Sequence, residues 1–581
     1  VRQILVREGI VYISSRQDGL FVVDARDSTA PRLLFHYDTI EFATGLALSG
    51  DILFVACRHY GVELVDVSNP AAPQHLSTIR TGEAQSVVAR NGYLYAGVWG
   101  SSEVVTVDYR DPKHPRIASR APLDGFGDGV DVQGDVLYVA TGHHSKEQPR
   151  KNPGDPGFGK GHGLEVFDLT DPADPKWLSR VKFPPLYEIG NDTWRVTVSN
   201  GHAFVSDTHN GFFLLDVRDP ENLEFVGHRE LPFVESKDKF DYVGGLALTK
   251  DHIFLAGGYT DLHVVAIPGI AKAVEREEDA TVAIPKSSRQ PTGNEPGWRA
   301  YRPGSQVYEA AFLEDDRAVV ACGSDGVHLV SLWPEVKLLS RFETGGFARD
   351  VSISGNLVFI AESAGGLSIR KLVEGSNELL PVGHFEFNNQ AIRQVEVPGN
   401  GNFALLQAGA NRFLILDVSD PTAPTLVLEE ARHGLLYGDQ TLRGLLEDRY
   451  TSVFWHVSGL HWYDLRAKPK PVFSGDRYPE RLGSSNGFVV FKNGALATRR
   501  GGYLLLDRTE KRPATEVGIH QVGDLRRHLG VPSIYGDRLY TAHRAEGIIT
   551  AVNIENPTQP VLLEEIEIPG NPARVSVRNG S

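Results

Sequence analysis

Hydrophobic and polar residues alternate with a period of two through short runs along most of the chain, and the runs come in groups of four. In one group, residues 44–48 alternate and 53–56 form an apolar, aromatic run. Residues 61–66 then read as a glycine-led strand, and 74–78 alternate again. Period-two runs of four to six residues rich in β-branched and aromatic side chains are strand patterns, and the Gly, Pro, Asn and Asp between them mark turns. One stretch, 271–279, has the character of a short helix; the rest predicts an all-β chain.

The groups are copies of one another. GLFVVDARDSTAP starts at Gly19, GVELVDVSNPAAP at Gly61, GLEVFDLTDPADP at Gly163 and GFFLLDVRDPENL at Gly211, with FLILDVSDPTAP at Phe413. Looser copies bring the count to twelve, and Asp24, Asp66 and Asp108 follow at intervals of 42 residues. Four antiparallel strands in about 42 residues predict the blade of a β-propeller. The Asp-x-x-Asp-Pro ending has a physical reason. Aspartate accepts hydrogen bonds from the backbone N–H groups that follow it, and proline fixes φ in the turn.

Twelve four-stranded blades exceed one ordinary ring, so two propellers in tandem are expected. The expected partition places a first propeller of about seven blades at 1–345, with insertions at 143–162 and 270–304, the latter being either an insertion in the sixth blade or a linker between rings. A second, of about five blades, follows at 346–581; six plus six also fits. Residues 572–577 read as the first strand of a thirteenth unit that closes a ring.

The wording of these repeats resembles the LVIVD-repeat family of bacterial and archaeal surface proteins. The resemblance covers most of the chain, and is strongest in repeats one to five and nine. It implies a propeller and an exported protein (periplasmic, cell-surface or secreted). It implies no activity, because propellers host many.

Composition narrows the classes. With 23% charged and 41% hydrophobic residues among 581, the chain is globular. A net charge of −15 argues against a general nucleic-acid binder, which needs excess Lys and Arg to displace counterions. No apolar run is long enough to span a bilayer. Two cysteines exclude a disulfide framework and a Cys-based zinc fold, and Cys57 and Cys322 are expected to be buried free thiols.

Candidate chemistry collects at the loop tips. In a blade, the loop between strands two and three and the entry into the next first strand share one face. These positions hold Arg58, His59 and Tyr60, Trp99, His143 and His144, His209, Tyr259, Trp194 and Arg195, Tyr242 and Tyr308. The corresponding tips of repeats eight and nine, 363–365 and 408–410, carry only Ser, Ala and Gly. The contrast predicts a cleft on the first ring. Aromatic faces stack on sugar rings, guanidinium groups pair with carboxylates, and His and Tyr transfer protons.

This combination resembles the sites of propeller polysaccharide lyases and of related propeller enzymes that act on rhamnose–glucuronate linkages. The expected partner is an acidic polysaccharide or oligosaccharide, and the expected reaction is β-elimination. Arg195 or Arg58 would neutralise the uronate carboxylate, His59 or His209 would be the base, and Tyr60 or Tyr259 the acid. Trp99, His143, His144, Trp194, Tyr259 and Tyr308 would bind substrate. A hydrolase is the next reading, with Asp207, Asp192, Asp261 and Glu309 as candidates. A zinc site from His143, His144, His162, His209 and Asp207 is a third, so the cofactor stays open, with a structural zinc or calcium conceivable. The rival from another class is a non-enzymatic surface scaffold.

Overall fold

The structure is a computed structural model. It describes residues within 1–142, 162–183, 195–266, 282–284, 301–431 and 444–577, with short interruptions that include His59 and Asp261. The chain forms two compact units, Val1–Lys286 and Ser287–Ser581.

Among the described residues the first unit contains four-stranded antiparallel sheets at 3–37, 46–79, 84–122, 126–182 and 195–229, and a three-stranded sheet at 243–266. A small hairpin, Phe233–Val234 with Lys239–Phe240, precedes the last of these. The second unit contains four-stranded sheets at 309–342, 350–385, 392–431, 444–477, 487–521 and 532–567. Strands pair in sequence order within every sheet, as in a propeller blade. The sheet 309–342, expected in the first ring, lies in the second unit. The stretch 270–304, where the units divide, lies largely outside the described residues, as does the insertion 143–162 up to His162.

Sheets pack face to face, so their middle strands are buried on both sides. Ile52–Ala56 is buried throughout. Phe54, Val62 and Leu64 of one sheet meet Val87, Leu94 and Val105 of the next. This explains why strand two reads as a continuous apolar run, whereas the outer strands alternate.

The Asp-Pro corners hold the sheets in series. Asp66 Oδ1 accepts the Ser68 N–H at 2.9 Å, and Asn69 Oδ1 accepts the Ala71 N–H at 3.1 Å. Two such turns in succession recur at Asp24 and Asp27, Asp168 and Asp171, and Asp417 and Asp420. The proline in the corner then presents its carbonyl to the preceding sheet. Ser77 Oγ–H donates to Pro112 O and Ser179 Oγ–H to Pro220 O, both at 2.6 Å. Tyr95 Oη–H donates to Pro172 O at 2.9 Å and Tyr503 Oη–H to Pro557 O at 2.6 Å.

First strands are tied to one another as well. Gln3 exchanges two hydrogen bonds with the Leu46 backbone, Asp131 accepts the Val198 N–H at 2.7 Å, and Asp350 accepts the Val395 N–H at 3.0 Å. In the first unit, first-strand segments from all six sheets line one cavity of about 860 Å³. In the second unit, Arg574 is ion-paired with Glu309 in its first sheet, and the Val577 N–H donates to Ser533 Oγ in its last at 3.2 Å. The tail therefore touches the first and last sheets of that unit, but its described residues within 572–577 form no strand, unlike the expectation.

Two predictions test this scaffold. Tyr95→Phe and Tyr503→Phe each remove one inter-sheet hydrogen bond and are expected to cost about 1 kcal/mol in chemical denaturation. No change in either variant would contradict the clamp. The second concerns acid. Arg218 donates to Asp216 and, with the Arg218 N–H, holds its carboxyl down at about 2. Arg26 and Arg110 hold Asp24 and Asp108 below the carboxylate range in the same way. A carboxyl depressed in the folded state stabilises above its unfolded value of about 3.9, and that contribution fades as pH falls through the folded value. The melting temperature is expected to drop between pH 4 and pH 2, less steeply in Asp216→Asn. Parallel profiles would contradict this.

Candidate functional site

In the first unit every first strand starts at the same end of the cavity, where the loops between second and third strands also lie. The Arg58–Ala84 and Arg16–Ala43 bridges join such a loop to the start of the next sheet. At this end, the loop of sheet 195–229 is a short 3₁₀ turn, Thr208–Asn210, flanked by Asp207 and Gly211. Asp207 is fully buried. Its Oδ2 accepts from His162 Nε2 at 2.8 Å and from Asn210 Nδ2 at 3.1 Å, which anchors the turn from beneath. Thr208 takes φ +33°, a strained value for a β-branched residue.

The turn carries His209 to a cluster built by the last sheet and the hairpin before it. His209 Nδ1–H donates to the Phe240 carbonyl at 2.8 Å. Its ring lies 5.5 Å from Tyr242, edge to face, and 6.0 Å from Tyr259, stacked; the two tyrosines are 5.2 Å apart. Lys237 and Lys239, at the tip of the hairpin, place their ammonium groups 5.5 and 6.0 Å from the centre of the Tyr259 ring, within cation–π range. Tyr259 is 39% exposed, so a ligand can reach it.

Two features fix the tyrosines. Asp241 is fully buried and accepts from the N–H groups of Tyr242, Tyr259 and Thr260 at 2.8, 2.8 and 3.1 Å, and from the Thr260 hydroxyl. Burial pushes its carboxyl up, but the Thr260 hydroxyl and these N–H groups outweigh it and leave it below the usual range. Gly258 lies under the Tyr242 ring, where a Cβ would stand 1.9 Å from its atoms. Only glycine fits there.

The bond to Phe240 places the His209 proton on Nδ1 and leaves Nε2 as the basic nitrogen. The cluster therefore combines a base, two phenols able to donate a proton, and two cations, on loops that adjoin Ser206 and Gly244 of the cavity wall. Arg195 begins its strand in the wall of that cavity.

Of the residues expected from sequence, His209 and Tyr259 come together, with Tyr242. Arg58 is ion-paired with Glu83 at 2.7 Å and lies over Phe42, so its charge already has a partner. Tyr60 faces the Arg80 guanidinium at 5.7 Å, and Trp99 packs on Phe126 at 4.4 Å. Tyr308 belongs to the second unit, where Arg349 lies 5.8 Å from its ring. His59, His143, His144 and Trp194 lie outside the described residues, as do Asp192 and Asp261. Glu309 is paired with Arg574. Cys57 and Cys322 are buried free thiols in different units. Among the described residues no three His, Cys, Asp or Glu side chains converge on one ion position; His162 and Asp207 meet as a hydrogen-bonded pair instead.

Lys237, Lys239 and Asp241 escape the repeat-based reading because the hairpin is no part of the repeat. A signal existed: the charged run Glu235-Ser236-Lys237-Asp238-Lys239 stands where a direct connection between sheets would be shorter.

The LVIVD repeat model matches residues 1–39, 42–81, 190–229, 345–369 and 394–429. These LVIVD repeats fall in sheets of both units, and together with the serial four-stranded sheets they define a β-propeller-like fold. The match at 190–229 includes His209, whereas the hairpin, Tyr242 and Tyr259 lie beyond it. No curated protein matches the chain. Among the described residues no helix is long and apolar enough to cross a membrane.

The anchoring of the turn is testable by stability. Asp207→Ala leaves a buried imidazole without its acceptor and is expected to cost about 2 kcal/mol or more. His209→Ala, at a half-buried ring, is expected to cost under about 1 kcal/mol. Equal losses in urea denaturation would contradict this division between support and site.

Proposed function

We propose that the first unit binds a uronate-containing polysaccharide or oligosaccharide at the His209–Tyr242–Tyr259 cluster and cleaves it by β-elimination. The observation that carries the reading is the position of the His209 Nε2 base beside two tyrosines, one of which carries two lysine ammonium groups over its ring.

Each group has a role. Lys237 and Lys239, with Arg195 from the cavity wall, neutralise the uronate carboxylate and so acidify the proton at C5. His209 Nε2 removes that proton. The electron pair forms the C4–C5 double bond as the bond from C4 to the leaving oxygen breaks, and a tyrosine hydroxyl protonates that oxygen. Tyr259, the more accessible of the two by its exposure, is the assigned acid, and Tyr242 offers a stacking face.

Hydrolysis needs two facing carboxylates free to act. Of the carboxylates considered for hydrolysis, Asp207 is buried and holds the turn, and Glu309 is paired with Arg574 in the second unit. That favours elimination. A scaffold role would not call for a base with a fixed tautomer beside cations. In this reading the twelve sheets are blades of two propellers in tandem, six in each unit, and the protein is exported to meet its acidic glycan.

Incubation with a panel of uronate polysaccharides tests the proposal. One substrate is expected to give the ultraviolet absorbance of the unsaturated product. His209→Ala should lower that rate about 100-fold or more, and Lys237→Gln should raise KM. New reducing ends without absorbance, or full activity in His209→Ala, would overturn it.

A further inference from the structure

The cavity of the first unit has a use beyond the cluster at its end. Its lining includes four arginines, Arg2, Arg7, Arg90 and Arg195, against two acids, Glu8 and Asp131. Asp131 accepts the N–H groups of Val132 and Val198, and Arg7 is paired with Asp51, so the arginines exceed the carboxylates beside them by one. A basic passage through a chain of net charge −15 runs against the sign of the whole and focuses anions into it.

The arginines are distributed along the passage. Arg2 stands just before its strand and Arg195 begins one, so both mark the end that carries His209. Arg7 and Arg90 close the first strands of their sheets and mark the opposite end. Arg7 is held there by the Gly50 carbonyl and Asp51. Five residues of strand separate Arg2 from Arg7, which is about 17 Å at about 3.4 Å per residue. Between the two ends the wall offers uncharged hydrogen-bonding side chains, among them Gln85, Ser86 and Thr197. The volume, about 860 Å³, falls in the range of sites that enclose a small ligand.

We propose that this passage is a lengthwise binding site for an acidic oligosaccharide, with carboxylates met by arginines at both ends and hydroxyls met by the polar wall between. It rests on the reading of the ligand as an acidic glycan but not on the elimination chemistry. A chain held this way enters by its end, so the His209 cluster would act near chain termini.

The test is calorimetric titration of the full-length His209→Ala protein with oligouronates of one to five residues. Galacturonic, glucuronic and mannuronic series serve as probes, with a neutral oligosaccharide and a linear polyphosphate as controls. For one series, affinity is expected to rise at least tenfold from the monomer to the longer oligomers. Arg90→Gln, at the far end, should lose about that factor for long oligomers and nothing for the monomer, and Arg90→Lys should recover part of it. Circular dichroism confirms that both variants are folded. Affinity independent of length, an Arg90→Gln protein that binds like its parent, equal binding of the neutral chain, or Arg90-dependent binding of polyphosphate alone would each overturn the proposal. If long oligouronates bind as expected and no substrate gives absorbance with the unsubstituted protein, the elimination reading fails and the binding site stands.

Discussion

At four corners of this fold a proline carbonyl joins the local turn to the preceding sheet. The corner forms because Asp or Asn side chains accept the N–H groups two residues ahead, twice in succession. That local geometry turns the proline carbonyl toward the preceding sheet, where a Ser or Tyr hydroxyl meets it. A sheet of four short strands is hydrophobic on both faces and has no stability alone. The corner sets the spacing at which its faces find neighbours, and the apolar contacts between sheets then supply the larger part of the stabilisation.

A scaffold of this kind frees the opposite end of each sheet. The corners sit after third strands, whereas the loops after second strands are at the other end, joined to the next sheet by backbone bridges such as Arg16–Ala43 and Arg58–Ala84 that do not fix the residue type. They are therefore the positions where the chain can carry chemistry. The turn at Asp207–Gly211 uses that freedom, with a buried His162–Asp207–Asn210 base under a half-buried His209. The hairpin inserted before the last sheet of the first unit adds Lys237 and Lys239 and fixes the tautomer of His209 through Phe240. One loop of the repeat and one insertion thus make a cluster of side chains that neither makes alone.

What could be read from the sequence follows the range of the interactions. Strands, corners and the serial order of sheets depend on residues within about 40 positions, and the repeats spell them out. His209 and Tyr259 were visible as polar and aromatic residues at loop tips that the scaffold does not require. The unit boundary was left open between seven plus five and six plus six, because the repeats continue on both sides of 270–304, the stretch within which the chain divides. Arg58 looked available for a substrate carboxylate because its partner Glu83 lies 25 residues on, in the next connection. Lys237 and Lys239 stood outside every repeat, and only the folded hairpin places them over Tyr259.

The proposed function requires the first unit to engage an acidic glycan beside His209. A crystal structure of the full-length His209→Ala protein with a bound oligouronate tests it most directly. Sugar density is expected against Tyr242 and Tyr259, with a carboxylate within reach of Lys237, Lys239 or Arg195 and continuation of the chain toward Arg90. Sugar bound on the outer strands or in the second unit, with the His209 end empty, would contradict it.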